Sequence, residues 1–357
     1  MSWGCGSEPA RRGEDRKTAN NRPGSGPPGT GLGVCSPTVS SPPESSVAAL
    51  VQNVESVVLG KSAAVETVVA ALLARGHVLL EDVPGVGKTV LARSLARSLD
   101  APMKRIQCTP DLLPSDVTGA SVYNPKTLVF EFRPGPVFAS VVLADEINRA
   151  TPRTQSAFLE AMEERQVSAD GETHPLPDPF FLIATQNPIE LAGTFPLPEA
   201  QLDRFLVRVA LGYADAATEV RVILAQRETH PLSGLEPVLD LPRLKEAQVA
   251  VTRVPVHEAL VGYVQQVVAA TRAHDHVLLG ASPRGALSLV RAAQALALLR
   301  GERYVTPDHV KRLAPSVLAH RIIVKPRSRV QGMDGGRVVE DALRQVAVPI
   351  DLPRPTP

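Results

Sequence analysis

Aromatic residues make up only 4% of this 357-residue chain, a scarcity that counts against a surface built to stack nucleobases. Charge of one sign is missing too. With 38 Lys and Arg against 37 Asp and Glu the formal net charge is +1, so no dominant polyanionic partner and no specific nucleic acid is expected. The three cysteines, Cys5, Cys35 and Cys108, are odd in number and lack C-x-x-C spacing, which predicts a reducing compartment and no metal site of their own. No apolar run approaches the roughly 18 residues of a membrane helix, and Arg11-Arg12 leads into Gly-, Pro- and Ser-rich sequence in place of a signal-peptide core. A cytoplasmic chain without a transmembrane segment is expected. No N-K-x-D stretch is present to select guanine.

What is there begins at residue 46. Residues 1–45 hold Pro23, Pro27, Pro28, Pro37, Pro42 and Pro43 among glycines and serines, a composition that buries too little apolar surface to order itself and is read as a disordered arm. Its basic residues fit a solvated tail better than a tether. Then Val47, Leu50, Val51, Val54 and Val58 fall on one helical face, and Val65, Val68, Val69, Leu72 and Leu73 on another, with a break at Leu59-Gly60. That break could cover a bound base or be a plain helix-helix turn.

The decisive stretch is Val78-Leu79-Leu80-Glu81-Asp82-Val83-Pro84-Gly85-Val86-Gly87-Lys88-Thr89-Val90. An apolar strand, a glycine turn and a helix with Leu91, Leu95 and Leu99 on one face give a phosphate-binding loop. Val83, Pro84, Gly85, Val86, Gly87, Lys88, Thr89 and Val90 are the expected nucleotide contacts. Backbone N–H groups curl around phosphate oxygens, Lys88 supplies a cation, and the Thr89 hydroxyl ligates Mg2+ at a helix N-terminus. The full pattern has glycine where this chain has Asp82, which is read as a change in how the loop is entered.

A second strand follows near residues 103–108, then an alternating Leu128-Val129-Phe130-Glu131-Phe132 run that predicts a hairpin insert, free either to meet a partner or to pack on a neighbour. Next, Val141-Val142-Leu143-Ala144 ends in Asp145-Glu146. That order delivers Asp145 to the Mg2+ shell and Glu146 to the water that attacks the γ-phosphate. A helix ends near Glu164, and Asp170-Gly171 marks a tight hairpin. The strand from Phe180 ends on Thr185-Gln186-Asn187, where Asn187 either orients water or caps the strand. Arg204, just before a last strand at 206–211, either completes a neighbour's site or makes a surface ion pair.

Beyond Tyr213 the sequence turns helical. Ser282-Pro283-Arg284 predicts a serine-capped helix start with Arg284 in the first turn, and Thr306-Pro307-Asp308 repeats the signal. Arg321, Lys325, Arg327 and Arg329 read as a basic tail on a solvated face.

On these residues the chain resembles the MoxR family of AAA+ ATPases over residues 46–337. The stretches 81–89 and 143–150, Thr154-Gln155-Ser156 with 159–164, Ala184-Thr185-Gln186-Asn187-Pro188 and Ser282-Pro283-Arg284 carry the resemblance. It implies an α/β fold: a P-loop core with a parallel five-stranded sheet between helices over 46–213, a helical connection over 214–270, an all-α lid over 271–340 and a tail over 341–357. It implies a hairpin inserted near 116–138 and another near 167–174. Asn187 becomes sensor 1, Arg204 an arginine finger given to the next subunit and Arg284 sensor 2, alongside Glu146 as catalytic groups. ATP and Mg2+ are the implied cofactors. A homo-oligomer, a hexameric ring, is implied, acting as a chaperone-like remodeller on a protein client such as a von Willebrand factor A-domain protein. A magnesium-chelatase-like subunit, a nucleic-acid-associated motor and a scaffold that never hydrolyses are the rival readings, the last opposed by the intact Glu146.

Overall fold

The computed structural model describes residues 43–188, 193–225 and 231–349. The expected arm lies almost wholly outside them. Helices α1 (Pro43–Glu55) and α2 (Ser62–Leu73) follow the apolar periodicity, with Val47, Leu50, Val65, Val68 and Val69 fully buried. The chain then enters strand β1 (Val78–Glu81), returns as α3 (Lys88–Ser98) and forms β2 (Met103–Gln107). A short helix α4 (Pro114–Thr118) leads into the hairpin β3 (Gly119–Asn124) and β4 (Val129–Pro134), which interrupts the sequence before β5 (Val141–Asp145). Helix α5 (Pro152–Glu164) ends in a second hairpin, β6 (Gln166–Ala169) and β7 (Glu172–Pro175), then come β8 (Phe181–Gln186), α6 (Glu199–Leu202) and β9 (Val207–Val209).

The central sheet has the order β2-β5-β8-β1-β9, and every pairing in it is parallel. Such strands are covered on both faces, which is why they read as unbroken apolar runs. Side chains nevertheless divide by alternation. Leu80, Leu143 and Ile183 pack with Leu91 and Leu95 of α3, while Leu79, Val142 and Leu182 pack with Phe158, Leu159 and Met162 of α5. Because all five strands point one way, their C-terminal ends share an edge. Gln107 is there in register with Asp145, and Glu81 with Gln186.

The two hairpins touch through Phe132 and His174, whose rings stack with centroids 3.8 Å apart and 6° between planes. The first hairpin's tip does not pack on the protein: Leu128 is 71% and Phe130 72% exposed.

The remaining elements are α7 (Ala216–Ala225), α8 (Leu241–Arg253), α9 (Glu258–Ala273), β10 (Val277–Leu279), α10 (Pro283–Leu299), α11 (Pro307–Leu318), β11 (Ile323–Val324), α12 (Pro326–Val330) and α13 (Gly335–Gln345). The lid is helical apart from a short antiparallel ribbon of β10 and β11. Helix α9 runs through residue 270 and α13 through residue 340, so both expected boundaries fall inside helices. Leu289 and Leu296 of α10 join the core of α1 and α2, and Arg300 donates to both Glu66 oxygens at 2.8 and 3.1 Å, with Arg312 on the same carboxylate.

Two local expectations change. Ser282 occupies the position before α10 but its buried hydroxyl makes no cap bond, so the helix start rests on the fixed φ of Pro283. At α11 the residue before the helix is held from inside it, the Thr306 N–H donating to His309 Nδ1 at 3.0 Å, while the Thr306 hydroxyl makes no cap bond to the helix backbone. Arg321 belongs to no solvated face. It is 6% exposed, donating to Asp203 Oδ1 at 2.7 Å and to the Phe205 and Leu206 carbonyls at 2.7 and 3.3 Å. A buried guanidinium needs that many acceptors to offset its lost hydration.

Candidate functional site

Helix α3 begins at Lys88 directly from Gly87, so its first N–H groups face the loop rather than a capping side chain. Gly85 and Gly87 have φ of +85° and +97°, a left-handed backbone that side chains other than glycine's adopt only with strain. Left-handed residues alternating with ordinary ones turn successive N–H groups into one concavity, an anion nest. Lys88 Nζ donates to the Asp82 carbonyl at 2.6 Å, which folds its amine back over the loop. Asp82 itself explains the departure from the glycine pattern. Its Oδ1 accepts its neighbour Val83 N–H at 2.8 Å and its Oδ2 accepts the N–H of Gly212, pinning the entry of the loop to the chain after β9.

Beside the loop lies a cleft of about 470 Å³. Val58, Leu59 and Lys61 form one wall and Tyr213, Val222 and Ile223 another, with Gly85, Gly87 and Val90 at its floor. The break between α1 and α2 therefore sits against the phosphate loop.

Two strands away, Asp145 ends β5 and is 8% exposed. Its Oδ1 accepts the Thr185 hydroxyl at 2.6 Å, and its Oδ2 accepts Arg105 Nε and Nη2 at 3.0 and 2.6 Å. Glu146 takes a left-handed φ of +58°, its N–H donating to Thr185 Oγ1 at 2.8 Å. Thr185 thus fixes both carboxylate residues at once. The Glu146 side chain accepts Gln107 Nε2 at 2.9 Å and pairs with Arg149 Nε at 3.2 Å. Asn187 follows β8, 5% exposed, its carbonyl accepting Asn148 Nδ2 at 3.4 Å. Cys108 is buried under the same edge, and burial, then Asp145 and Glu146, push its thiol up to about 12. It stays a protonated thiol at neutral pH.

The donor set suits a hard cation. Thr89 and Asp145 offer a hydroxyl and a carboxylate, the oxygen chemistry Mg2+ takes. At the same edge Gln186 Oε1 and Asn148 Oδ1 are buried acceptors without a hydrogen-bond partner. Among the described residues no His, Cys, Asp and Glu cluster forms a separate all-protein metal site.

Arg204 and Arg284 are not part of this edge. Arg204 Nε pairs with Glu163 Oε2 at 3.0 Å and Arg284 Nη1 with Glu163 Oε1 at 3.2 Å, so one carboxylate holds both. They line a cleft of about 220 Å³ with Gly76 and His77, at the start of β1. The four residues of β1 put the loop about 13 Å farther along. Helix α5 joins the two edges: it starts shortly after Glu146, spans about 20 Å and carries Glu163 in its last turn.

Residues 77–207 match the family described as "ATPase family associated with various cellular activities (AAA)", and residues 269–345 match the AAA lid domain. Chaperone MoxR1 of Mycobacterium tuberculosis (strain ATCC 25618 / H37Rv) is 42% identical over 305 residues, 83% of this chain and 80% of that protein. The chain belongs to the MoxR family of AAA+ ATPases. Protein YeaC of Bacillus subtilis (strain 168) is 50% identical over 300 residues, covering 84% of this chain and 94% of that one. A crystal structure from Cytophaga hutchinsonii ATCC 33406 superposes with a TM-score of 0.79 at 35% identity, covering 86% of this MoxR-family chain and 96% of the other. No helix among the described residues is long and apolar enough to cross a membrane.

Sequence reasoning singled out Lys88, Thr89, Asp145, Glu146 and Asn187, and the fold gathers them on one edge of the sheet. It missed Thr185, Arg105 and Gln107. Thr185 was inside a stretch already singled out, but a hydroxyl in a buried strand carries no mark of what it faces.

Proposed function

We propose that this MoxR-family chain hydrolyses ATP in a Mg2+-dependent reaction, as a homo-oligomeric ring in which each site is completed by the next subunit. One observation carries the reading: Arg204 and Arg284 share Glu163 on the edge opposite their own phosphate loop. A guanidinium stationed there is remote from its own phosphate loop, which supports a role toward a nucleotide held by another chain.

In this scheme the nest from Val83 to Val90 and Lys88 hold the phosphates, and the apolar walls at Val58, Leu59 and Ile223 take the base. Thr89 and Asp145 would hold Mg2+, which when bound would supply charge neutralisation at the phosphates. Glu146 orients the attacking water and accepts its proton, while Asn187 holds that water from the other side. The neighbour's Arg204 and Arg284 lie against the charge that develops on the γ-phosphoryl group. The product is work on a protein client in the cytoplasm, in keeping with the relative named as a chaperone. A von Willebrand factor A-domain protein is the client class that the family resemblance implies.

Mixing tests the ring. Lys88→Ala loses nucleotide binding, and Arg204→Ala keeps it but loses roughly a thousandfold or more in turnover. Each is nearly inactive alone. Together they regain measurable ATPase activity, because mixed rings set an intact Lys88 site against an intact Arg204. Co-assembly without recovery overturns the shared-site reading.

A further inference from the structure

Arg105 and Gln107 stand two residues apart on β2 and so share one face of that strand. In register, Gln107 is opposite Asp145. Arg105 sends both Nε and Nη2 to a single oxygen, Asp145 Oδ2, at 3.0 and 2.6 Å. The same Nη2 donates to Gln107 Oε1 at 2.8 Å, and Gln107 Nε2 donates to Glu146 Oε2 at 2.9 Å. Four side chains therefore form one line, Asp145 to Arg105 to Gln107 to Glu146, with a carboxylate at each end.

The two ends of the ion pair differ in freedom. The Arg105 side chain is 44% exposed and that of Asp145 11%. Asp145 cannot turn away, because Thr185 holds its Oδ1. Arg105 can swing into water, and a half-exposed pair of this kind is held only weakly. A cation arriving at Oδ2 meets two donated hydrogens and a full positive charge, which must leave before the oxygen can ligate it.

We propose that Arg105 competes with Mg2+ for Asp145 Oδ2. Arg105 is thus a positioning residue that sets how readily Asp145 takes a metal ion. The proposal rests on the reading of Asp145 as a metal-holding residue.

The test is a Mg2+ titration of fluorescent ADP binding to the full-length chain, with ADP chosen so that nothing turns over. Arg105→Ala lowers the Mg2+ concentration at half-effect by roughly two- to fivefold, since a pair of this exposure is worth up to about a factor of five. Arg105→Lys, which keeps the charge and loses the fork, falls between. Affinity for ADP in EDTA does not change, as Arg105 lies off the phosphate loop. Asp145→Asn raises the Mg2+ requirement in the same assay. If Asp145→Asn shifts it and Arg105→Ala leaves it unchanged or raises it, with or without a fall in melting temperature, Arg105 is a stabilising ion pair and the competition is overturned. If Asp145→Asn changes nothing, the metal reading falls and the proposal with it.

Discussion

Acid should unfold this protein earlier than a His77→Gln variant, and the size of the effect follows from where His77 sits. The ring is buried at the start of β1, stacked near Phe181 with an edge toward Phe180. Its Nδ1 accepts the Leu182 N–H at 3.0 Å, which leaves Nε2 to donate to the Met162 carbonyl at 3.1 Å. Both nitrogens are thus committed to the neutral form. Burial is the main cause that brings its pKa from 6.5 down to about 4, with Arg165 adding to the descent and the Met162 bond opposing it. The unfolded chain takes up a proton near pH 6.5 and the folded one only near 4. Between those values the unfolded state binds more protons, so falling pH favours it; above 6.5 the contribution is complete. Some two and a half pH units at about 1.4 kcal/mol each amount to about 3 kcal/mol lost by pH 4. His320, also buried and lowered well below 6.5 chiefly by burial, works in the same direction. The difference between wild type and His77→Gln therefore isolates one proton. Urea unfolding followed by far-ultraviolet circular dichroism, from pH 7.5 to 4.5 without nucleotide, is the assay, because the only tryptophan is Trp3, outside the described residues. Parallel stability curves for the two proteins would refute the reasoning.

Two further substitutions probe the fold and the chemistry separately. A Cβ at Gly76 would stand 2.4 Å from the Leu206 Cβ, an atom that cannot rotate away, so Gly76→Ala is expected to cost about 1–3 kcal/mol, read as a lower urea midpoint. Glu146→Gln should bind ATP as tightly as wild type and hydrolyse it roughly 10²- to 10⁴-fold more slowly, the contribution expected of a positioned base; near-normal turnover would remove Glu146 from that role.

Much of the nucleotide edge was legible from the chain alone, and the reason is locality. Gly85, Gly87, Lys88 and Thr89 are neighbours in sequence, and the chemistry of a phosphate nest is backbone chemistry that a few consecutive residues can specify. An apolar strand ending in Asp145-Glu146 carries its own direction in the same way. Both hairpins were equally readable, because alternation and Asp170-Gly171 are local signals.

Strand order was not local, and everything that depends on it came from the tertiary structure. Alternation tells which side chains share a face but not which strand lies beside which, so Thr185 on β8 bridging Asp145 and Glu146 on β5 had no trace in the sequence. The same holds for Arg105, whose charge looked like any exposed strand residue's until β2 was paired with β5. Arg321 read as one of several surface cations, and only the docking of the lid on the chain around Asp203 buried it. The family resemblance supplied Arg204 and Arg284 as a finger and a sensor, yet their common hold on Glu163, across the sheet from their own loop, required α5, α10 and the turn after α6 to meet. A sequence fixes the chemistry of groups that are adjacent along the backbone; which distant groups meet is decided by how helices and strands bury their apolar faces against one another.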